Sequence, residues 1–311
     1  MSQRGDAPAL HLFSPSGAVA KAATLRLAAR RLTSLGFTVL IDEAALLRQQ
    51  RFGGDDAQRL AAVHRVAQAA PAVAMATRGG YGMTRLLDVI DWKLVARSVE
   101  RGTRWVGHSD FTAFQLAALA HGGIGTWAGP MACYDFGRLA EEHGEREVEE
   151  VDEVTAGCFV EAMDGSLEAV GFRTEDGFEG LDVRGTLWGG NLAMIVSLLG
   201  TRHWPKIKGG ILFIEDVNEP PYSYDRMLTH LRRVGALAGI AGVAVGQLVG
   251  AGPPGELDVP AGLRDRLGDL GVPVLGGLPL GHGTGQLTVP LGVPATIDVA
   301  AGTLTVEPGV R

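Results

Sequence analysis

The first 120 or so residues alternate short apolar runs with longer segments in which apolar residues recur every three or four positions. The short runs predict strands and the periodic segments predict helices, because a helix returns to the same face every 3.6 residues. Strands that alternate with helices favour a parallel sheet covered by helices on both faces, with functional loops at the carboxyl ends of its strands. The predicted strands are ALHLF, FTVLID, AVAMAT and RWVG, and the predicted helices are AATLRLAARRLTSLG, DAQRLAAVHRVAQAA, MTRLLDVIDW and DFTAFQLAALAHG.

The second half of the chain begins with a break in this pattern. An acidic run, EEHGEREVEEVDEV, starts at Glu141, and such clusters are typical of solvated linkers or surface helices. We therefore predict an N-terminal α/β domain over residues 1–150, an acidic linker over 151–174 and a C-terminal domain over 175–311. In the last part, GGILFIED and AGVAVGQLVG predict strands, SYDRMLTHLRRVG predicts an amphipathic helix, and the segment from LTVPLG to TLTVEPG predicts hairpin strands.

Charge and cysteine content exclude several classes of partner. The 311-residue chain carries a formal net charge of -7, so it lacks the positive charge that attracts phosphate backbones and anionic membranes, and we expect no nucleic acid and no membrane partner. Cys133 and Cys158 are the only cysteines, too few for a disulfide framework or a paired zinc motif. Because the N-terminus also lacks the apolar core of a secretory signal, we expect a cytoplasmic protein.

The most apolar segment, GALAGIAGVAVGQLVGAG, extends from Gly235 to Gly252 and is about long enough to cross a membrane as a helix. Its many glycines, its central Gln247 and the break at Pro253 and Pro254 argue against that structure. We interpret AGVAVGQLVG as a strand that is buried on both faces.

Ser109 lies where a predicted strand ends and a predicted helix begins, in the segment WVGHSDFTAFQLAALAHG. A serine there can accept hydrogen bonds from the first N–H groups of the helix, and Asp110 is favourably placed in the helix dipole. The same kind of turn exposes the nucleophilic serine of many hydrolases, and Gly107 suits it. Because Phe111 replaces the second glycine of the usual G-x-S-x-G motif, this turn alone predicts either a helix cap or a nucleophile.

A glycine-rich loop, Arg78-Gly79-Gly80-Tyr81-Gly82, lies between another predicted strand and helix. Glycines let backbone N–H groups approach an anion closely, and a helix start adds a favourable dipole. The loop matches neither G-x-G-x-x-G nor G-x-x-x-x-G-K-[ST]. It therefore predicts a small-anion site, an oxyanion donor or a tight turn.

Two further strand ends carry chemically active side chains. GGILFIED ends in Glu215 and Asp216, which point to opposite sides of an extended chain, so at most one of them faces a site. His282 stands between glycines on a predicted loop, whereas His108, a competing histidine, is a direct neighbour of the serine and is expected to point away from it. The chain order Ser109, Glu215, His282 occurs in one class of hydrolases but is not diagnostic of a catalytic triad.

Six motifs occur in order over nearly the whole chain: SPSG, RGGYGxxRLLxxxD, GHSDFTAFQLA, WGGNLAMIVSLLGT, LFIEDVNEPPYSYDRMLTHL and LPLGHGTGQLTVPLG. Together they resemble, in order and spacing, the LD-carboxypeptidase family of serine peptidases, which includes muramoyltetrapeptide carboxypeptidases and microcin C self-immunity peptidases. The resemblance implies that the family's nucleophile, glutamate and histidine fall on Ser109, Glu215 and His282. It also implies that the backbone N–H groups of Asp110 and Gly80 form the oxyanion hole.

The same resemblance implies a fold, an assembly and a substrate. We expect a flavodoxin-like N-terminal domain with a parallel sheet that carries the nucleophile, and a smaller, β-rich α/β C-terminal domain that carries the glutamate and the histidine. We expect a homodimer that uses no metal and no other cofactor. The family substrate is a peptide that ends in D-alanine and is cut at an L–D bond, which implies a role in the recycling of cell-wall muropeptides.

A site for such a substrate must hold a terminal carboxylate, and Arg78 and Arg226 are candidates for that contact. Tyr81 in the glycine loop, and Trp188 and Asn191 in the WGGN motif, are candidates for shaping the cleft. Two alternatives stay open. One is a microcin-type peptidase that cleaves peptidyl or aminoacyl nucleotides, with an aromatic ring at Trp188 stacked on an adenine. The other is a non-catalytic protein that binds a small anion at the glycine loop.

Overall fold

The computed structural model of the protein describes residues 7–138, 151–171, 182–250, 267, 271–298 and 302–306. The chain forms two compact units, which are described separately below. The division differs from the predicted domain boundaries, because the second unit includes a segment from within the predicted N-terminal domain. The first unit comprises Met1–Phe114 and Gly129–Ser166, and the second comprises Gln115–Ala128 and Leu167–Arg311.

The first unit is built on a parallel sheet. Strand β1 (Ala9–Phe13) pairs in parallel with both β2 (Thr38–Ile41) and β3 (Val73–Ala76). Strand β3 pairs in parallel with β4 (Arg104–Gly107), which gives the order β4-β3-β1-β2. The order reverses between β1 and β3, and this is the position at which open α/β sheets bind ligands, beyond the carboxyl ends of the strands. The predicted α/β class, with a parallel N-terminal sheet and flanking helices, is confirmed.

Most of the predicted N-terminal helices are present. The segment MTRLLDVIDW is an exception: it forms only a short 3₁₀ turn, Met83–Arg85, and a separate helix then begins at Trp92. That helix begins there because the Asp91 carboxylate accepts a hydrogen bond from the Leu94 N–H, at 3.0 Å. The helices of this part of the chain are α1 (Ala22–Ser34), α2 (Asp56–Ala69), α3 (Trp92–Glu100) and α4 (Thr112–Gly122).

The predicted acidic linker begins instead with a helix, α5 (Glu153–Asp164), which belongs to the first unit. Its buried Phe159 packs against Phe37 and Phe136, with ring centroids 5.5 and 5.4 Å apart. The sequence did not predict this helix because charged residues surround its apolar positions. Residues 141–150 of the acidic run and 172–174 of the predicted linker lie outside the described part of the chain.

An aromatic cluster forms the core behind β4. Trp105 contacts Phe13 edge-on at 5.5 Å and Phe114 at 5.1 Å, and Phe111 stacks on Phe114 at 4.8 Å. All four side chains are fully buried. Because burial of large aromatic side chains is strongly favourable, this cluster anchors both ends of the turn that carries Ser109.

The second unit contains a mixed, seven-stranded sheet of order β10-β9-β8-β7-β12-β13-β6. Strands β7 to β10 pair in parallel with one another, whereas β12 pairs antiparallel with both β7 and β13, and β13 pairs antiparallel with β6. The predicted C-terminal hairpin is therefore present as β12 and β13. The strands are β6 (Ala169–Gly171), β7 (Asp182–Asn191), β8 (Ile211–Val217), β9 (Gly242–Val249), β10 (Val274–Leu275), β12 (Val293–Asp298) and β13 (Thr303–Val306).

The described part of this unit also contains two short strands, the helices that follow β7 and β8, and the part of α4 from Gln115 onward. Strand β5 (Thr126–Ala128) pairs antiparallel with β11 (Val289–Leu291). Helices α6 (Leu192–Ser197) and α7 (Pro221–Arg233) follow β7 and β8. The apolar segment that we interpreted as a buried strand is β9, and the helices of the described residues include none with the length and hydropathy needed to cross a membrane.

Candidate active site

Ser109 is held in an unusual backbone conformation at the end of β4. Its φ angle is +61°, in the left-handed region that residues with a Cβ rarely adopt. Strain of this kind persists only where the surrounding structure enforces it, and it is common at the nucleophiles of strand-to-helix turns. The side chain is partly exposed, although its neighbours Gly107, His108 and Asp110 are buried. The fold therefore presents the hydroxyl of Ser109 and buries the turn beneath it.

Two glycines make room for this turn. A Cβ on Gly107 would come within 2.8 Å of the Phe111 ring, and a Cβ on Gly79 would come within 2.7 Å of both Cβ and Oγ of Ser109. Neither contact is sterically acceptable. The glycine-rich loop after β3 therefore packs directly against Ser109.

The capping role expected for Ser109 is not seen. His108 occupies the N-cap position of the 3₁₀ turn Ser109–Phe111, and no side chain caps that turn. The ring of His108 is turned toward other groups, with Nδ1 hydrogen-bonded to the Gly129 carbonyl at 2.9 Å. The first N–H groups at this turn are consequently not satisfied by the serine hydroxyl, which favours the second of the two roles predicted for Ser109.

In the second unit, Glu215 and His282 form a buried hydrogen-bonded pair. His282 Nδ1 lies 2.6 Å from Glu215 Oε2, and the two side chains are 7% and 1% exposed. A carboxylate can only accept a hydrogen bond, so Nδ1 carries the hydrogen and Nε2 keeps the lone pair with which an imidazole accepts a proton. This is the arrangement of a histidine base oriented by a carboxylate.

Glu215 and Asp216 point to different partners, as predicted from their adjacency. Asp216 accepts hydrogen bonds from the Asn191 side chain at 2.8 Å and from the Ala193 N–H at 2.9 Å, and thereby holds the start of α6. The pairing of β8 with β9 shifts register between Ile214 and Asp216, so Glu215 lies at a β-bulge, a feature that redirects side chains. Glu215 is thus the one carboxylate of the pair that meets the histidine.

The two positions on either side of His282 require glycine for different reasons. Gly281 has a φ of +123°, and a Cβ there would lie 2.8 Å from Glu215 Oε2. Gly283 donates its N–H to Gln247 Oε1 at 2.7 Å, and a Cβ there would overlap the Gln247 amide. The G-H-G motif therefore lets the loop approach β8 and β9 closely enough for the histidine to reach its carboxylate.

Burial sets the protonation state of these groups. Burial lowers the pKa of His282 to about 4, while the negative charge of Asp216 acts in the opposite direction. Burial also raises the pKa of Asp216 to about 6, against the hydrogen bonds that it accepts. His282 is therefore neutral near pH 7, the state in which it can act as a base.

The weaker substrate-binding candidates divide between the two units. In the first unit, Arg78 Nη1 donates to the Ala18 carbonyl at 3.2 Å. Tyr81 is 45% exposed, and its ring lies edge-on against Phe52, with centroids 4.7 Å apart. Both residues flank Gly80 in the loop that touches Ser109, so a substrate contact from this loop remains a prediction.

The other three candidates lie in the second unit and have local partners. Trp188 is 2% exposed and packs edge-on against Trp204 at 5.6 Å. Asn191 caps α6 through its side-chain oxygen and binds Asp216 through its amide. Arg226 Nη2 donates to Ser223 Oγ at 3.0 Å. Each of the three side chains thus has a structural contact within the second unit, and a contact of any of them with a substrate stays a prediction.

Sequence reasoning did not find Arg59, and for Asp110 it considered the helix dipole and the backbone N–H but not the contact of the buried side chain with the end of the glycine loop. Arg59, on α2, donates to the Gly82 carbonyl, and the Asp110 carboxylate accepts from the Met83 N–H. Their sequence separations from these partners are 23 and 27 residues, so no local motif joins them. Within the described ranges, no group of three or more His, Cys, Asp or Glu side chains is arranged to hold a metal ion.

Two family models match this chain. The model described as the LD-carboxypeptidase N-terminal domain matches residues 10–129, and the model described as the LD-carboxypeptidase C-terminal domain matches residues 184–297. The first match contains Ser109 and the glycine loop, and the second contains Glu215 and His282.

Individual relatives agree with these models. A Streptomyces coelicolor protein is 39% identical over 260 residues, which cover 82% of this chain and 78% of that protein. The crystal structure of a muramoyltetrapeptide carboxypeptidase from Oxalobacter formigenes is 34% identical, with a TM-score of 0.82 over 96% of this chain and 97% of that one. The microcin C7 self-immunity protein MccF, in complex with aspartyl sulfamoyl adenosine, has a TM-score of 0.85 over 98% and 97% of the two chains. At 20% identity, this last likeness concerns the fold alone.

Proposed function

Because the chain belongs to the LD-carboxypeptidase family and is a serine-type carboxypeptidase, we propose that it releases terminal D-alanine from the tetrapeptide of muropeptides by hydrolysing an L–D bond. The observation that carries the chemistry is the 2.6 Å hydrogen bond between His282 and Glu215. It supplies an oriented, neutral base to complement the partly exposed hydroxyl of Ser109. The substrate assignment is supported by the 34% identity to the Oxalobacter formigenes muramoyltetrapeptide carboxypeptidase.

In this proposal Ser109 is the nucleophile, His282 the general base and Glu215 the carboxylate that orients it. His282 Nε2 takes the proton of Ser109 as Oγ attacks the carbonyl carbon before D-alanine. The imidazolium that forms is stabilised by Glu215, which keeps its negative charge. His282 then gives the proton to the departing amine, and D-alanine leaves while the remaining peptide stays bound to Ser109 as an ester.

A second, equivalent half-reaction frees the enzyme. Water attacks the ester carbonyl as His282 takes one of its protons, and collapse returns that proton to Ser109 Oγ. In both halves the carbonyl oxygen becomes negatively charged, and we propose the N–H groups of Asp110 and Gly80 as its donors. Gly80 is exposed, has a φ of +106° and belongs to the loop that packs on Ser109, which supports this assignment.

The test is the release of D-alanine from a muramoyl tetrapeptide, measured by chiral mass spectrometry. The matched substrate ends in L-alanine, and the matched protein is Ser109→Ala. We expect release from the D-terminated substrate only, and its loss in the variant. Equal release from both substrates would contradict the L–D specificity, and undiminished release by Ser109→Ala would contradict the assigned nucleophile.

The microcin-type alternative is the next substrate class if D-alanine is not released. It would involve a peptidyl or aminoacyl nucleotide, and the fold shared with MccF is compatible with it. In the present structure Trp188 is almost fully buried, so stacking of an adenine on it would first require that the ring be uncovered. Membership of a peptidase family sets the non-catalytic alternative aside.

A further inference from the structure

We propose that Arg59 and the side chain of Asp110 are positioning residues, which together fix the glycine loop Gly79–Gly82 so that its N–H groups are in place for the oxyanion. The catalytic part of this inference rests on the proposed function. The structural part, that these two charged side chains hold the loop, stands on the contacts of the first unit alone.

Arg59 holds the carbonyl side of the loop. Its Nη1 donates to the Gly82 carbonyl at 2.9 Å and to the Pro15 carbonyl at 2.8 Å. The side chain is 0% exposed, so its charge is stabilised by these carbonyls, by Asp56 and by the face of the Phe52 ring, 4.8 Å from the guanidinium carbon. One guanidinium thus joins the loop after β1 to the loop after β3, on either side of the point where the strand order reverses.

Asp110 holds the amide side of the loop. Its Oδ2 accepts the Met83 N–H at 2.9 Å, and the residue is 2% exposed. Burial raises the pKa of this carboxyl group, while the Met83 N–H and the positive charge of Arg59 act in the opposite direction. Asp110 directly follows Ser109. Its backbone N–H would therefore lie next to the nucleophile, while its side chain fixes the C-terminal end of the glycine loop.

A third contact closes the arrangement. The Gly17 N–H donates to the Gly79 carbonyl at 3.0 Å, and a Cβ on Gly17 would lie 2.7 Å from that oxygen. A Cβ on Gly82, where φ is +122°, would lie 2.8 Å from both Arg59 Nη1 and the Phe52 ring. Glycine is therefore required in the SPSG motif, where it contacts the loop, and at the last position of RGGYG, where the loop contacts Arg59 and Phe52.

The consequence is a loop that is held at the Gly79 carbonyl, at the Gly82 carbonyl and at the Met83 N–H directly after it. A backbone donor contributes most to an oxyanion hole when it needs no reorganisation during the reaction. A surface glycine loop would otherwise be conformationally free. Two buried charges that bind its C=O and N–H groups give the loop the rigidity that its sequence lacks.

The first experiment measures the loop directly and does not depend on the substrate. Amide hydrogen exchange over residues 77–86 is compared between wild type, Arg59→Met, Arg59→Lys and Arg65→Met. Arg65 is the matched control because it lies on the same helix and forms an ion pair with Asp42 at 2.7 Å. We expect exchange in the loop to rise at least tenfold in Arg59→Met, less in Arg59→Lys, and not in Arg65→Met. Unchanged exchange in folded Arg59→Met would overturn the proposal.

If Arg59→Met does not fold, Arg59→Lys and Asp110→Asn decide the same question, because each keeps part of the hydrogen bonding. Unchanged loop exchange in both folded variants would then overturn the proposal.

The second experiment tests whether the loop acts on the transition state. For Arg59→Lys we expect kcat to fall about 10- to 100-fold with KM changed less than threefold. Affinity for a peptide boronate, which forms a tetrahedral adduct on serine, should fall in the same proportion as kcat/KM. A change in KM alone, or unaltered boronate affinity with a loosened loop, would contradict the positioning role.

Failure of the proposed substrate gives a different result. If the wild type releases no D-alanine but binds the boronate, the boronate affinities and hydrogen exchange still decide the role of Arg59. If the wild type binds no boronate at all, Ser109 as nucleophile fails, and the catalytic part of this inference fails with it.

Discussion

In the first unit, Ser109 is presented by the backbone, through its own positive φ and through glycines that leave no space for a Cβ. In the second unit, His282 is held by a side chain, through a 2.6 Å hydrogen bond to a buried carboxylate. The first region is therefore sensitive to shape, and the second to charge and proton affinity. Substitutions that change one property and leave the other intact can separate the two.

The largest effect on activity is expected when His282, the base in the charge-sensitive second unit, is removed. His282→Ala should lower kcat by about 10⁶-fold, because an unactivated serine leaves only binding and the oxyanion donors. Glu215→Gln should cost less, about 10⁴-fold, since the base remains but loses its orientation and its counter-charge. Steady-state kinetics on the muramoyl tetrapeptide measure both, with circular dichroism as the control for folding. An equal or larger loss for Glu215→Gln would contradict the assigned roles.

The shape-sensitive region should respond strongly to a single added methyl group. Gly79→Ala places a Cβ 2.7 Å from Cβ and Oγ of Ser109, so the loop or the serine must move. We expect kcat to fall by on the order of 10²- to 10³-fold, the cost of losing one oxyanion donor. Gly157→Ala is the matched control, because it lies on α5 in the same unit with no atom within 4 Å of the added Cβ. Full activity of Gly79→Ala would show that the loop does not position the serine.

The same comparison explains how much the sequence could predict. Apolar runs and helically periodic segments were sufficient to predict the α/β class and strand β9. The reason is that buried residues recur along the sequence with the period of the helix or strand that contains them. The ordered motifs were sufficient to place Ser109, Glu215 and His282 as candidates. The helix predicted over residues 83–92 was wrong, because Asp91 caps a later helix start.

Other features depended on long-range contacts. Glu215 and Asp216 are adjacent in sequence, and only the register shift between β8 and β9 shows which of them meets His282. Arg59 looks like an ordinary basic residue on an amphipathic helix, yet it is fully buried against carbonyls from two loops. Such roles are set by which loops the sheet topology brings together, and sequence periodicity does not contain that information.

A smaller effect is expected on the pH dependence of activity, which the charge-sensitive region around His282 sets. Burial lowers the pKa of His282 from 6.5 to about 4, and the enzyme needs the neutral imidazole. Activity should therefore persist as the pH falls from 7 and decline only toward the lowered pKa. The acid limb of kcat/KM should lie well below 6.5. In Asp216→Asn the limb should stay in place, because burial raises the pKa of Asp216 to about 6 and its carboxyl group is already uncharged at the pH of that limb.

For this measurement Gly79→Ala serves as the contrast. It should lower the whole pH profile without moving the acid limb, since it alters shape and leaves the charges near His282 unchanged. An acid limb at or above 6.5 in the wild type would contradict the assignment of the buried histidine as the base, because its folded pKa is lowered from that value.

The most direct measurement of the central claim is covalent labelling of the protein by a serine-directed peptide phosphonate, followed by peptide mapping. The account predicts one adduct on Ser109 in the wild type, none in Ser109→Ala, and labelling slowed by several orders of magnitude in His282→Ala, because the base that activates the hydroxyl is gone. Labelling at another residue, or an undiminished rate in His282→Ala, would contradict it.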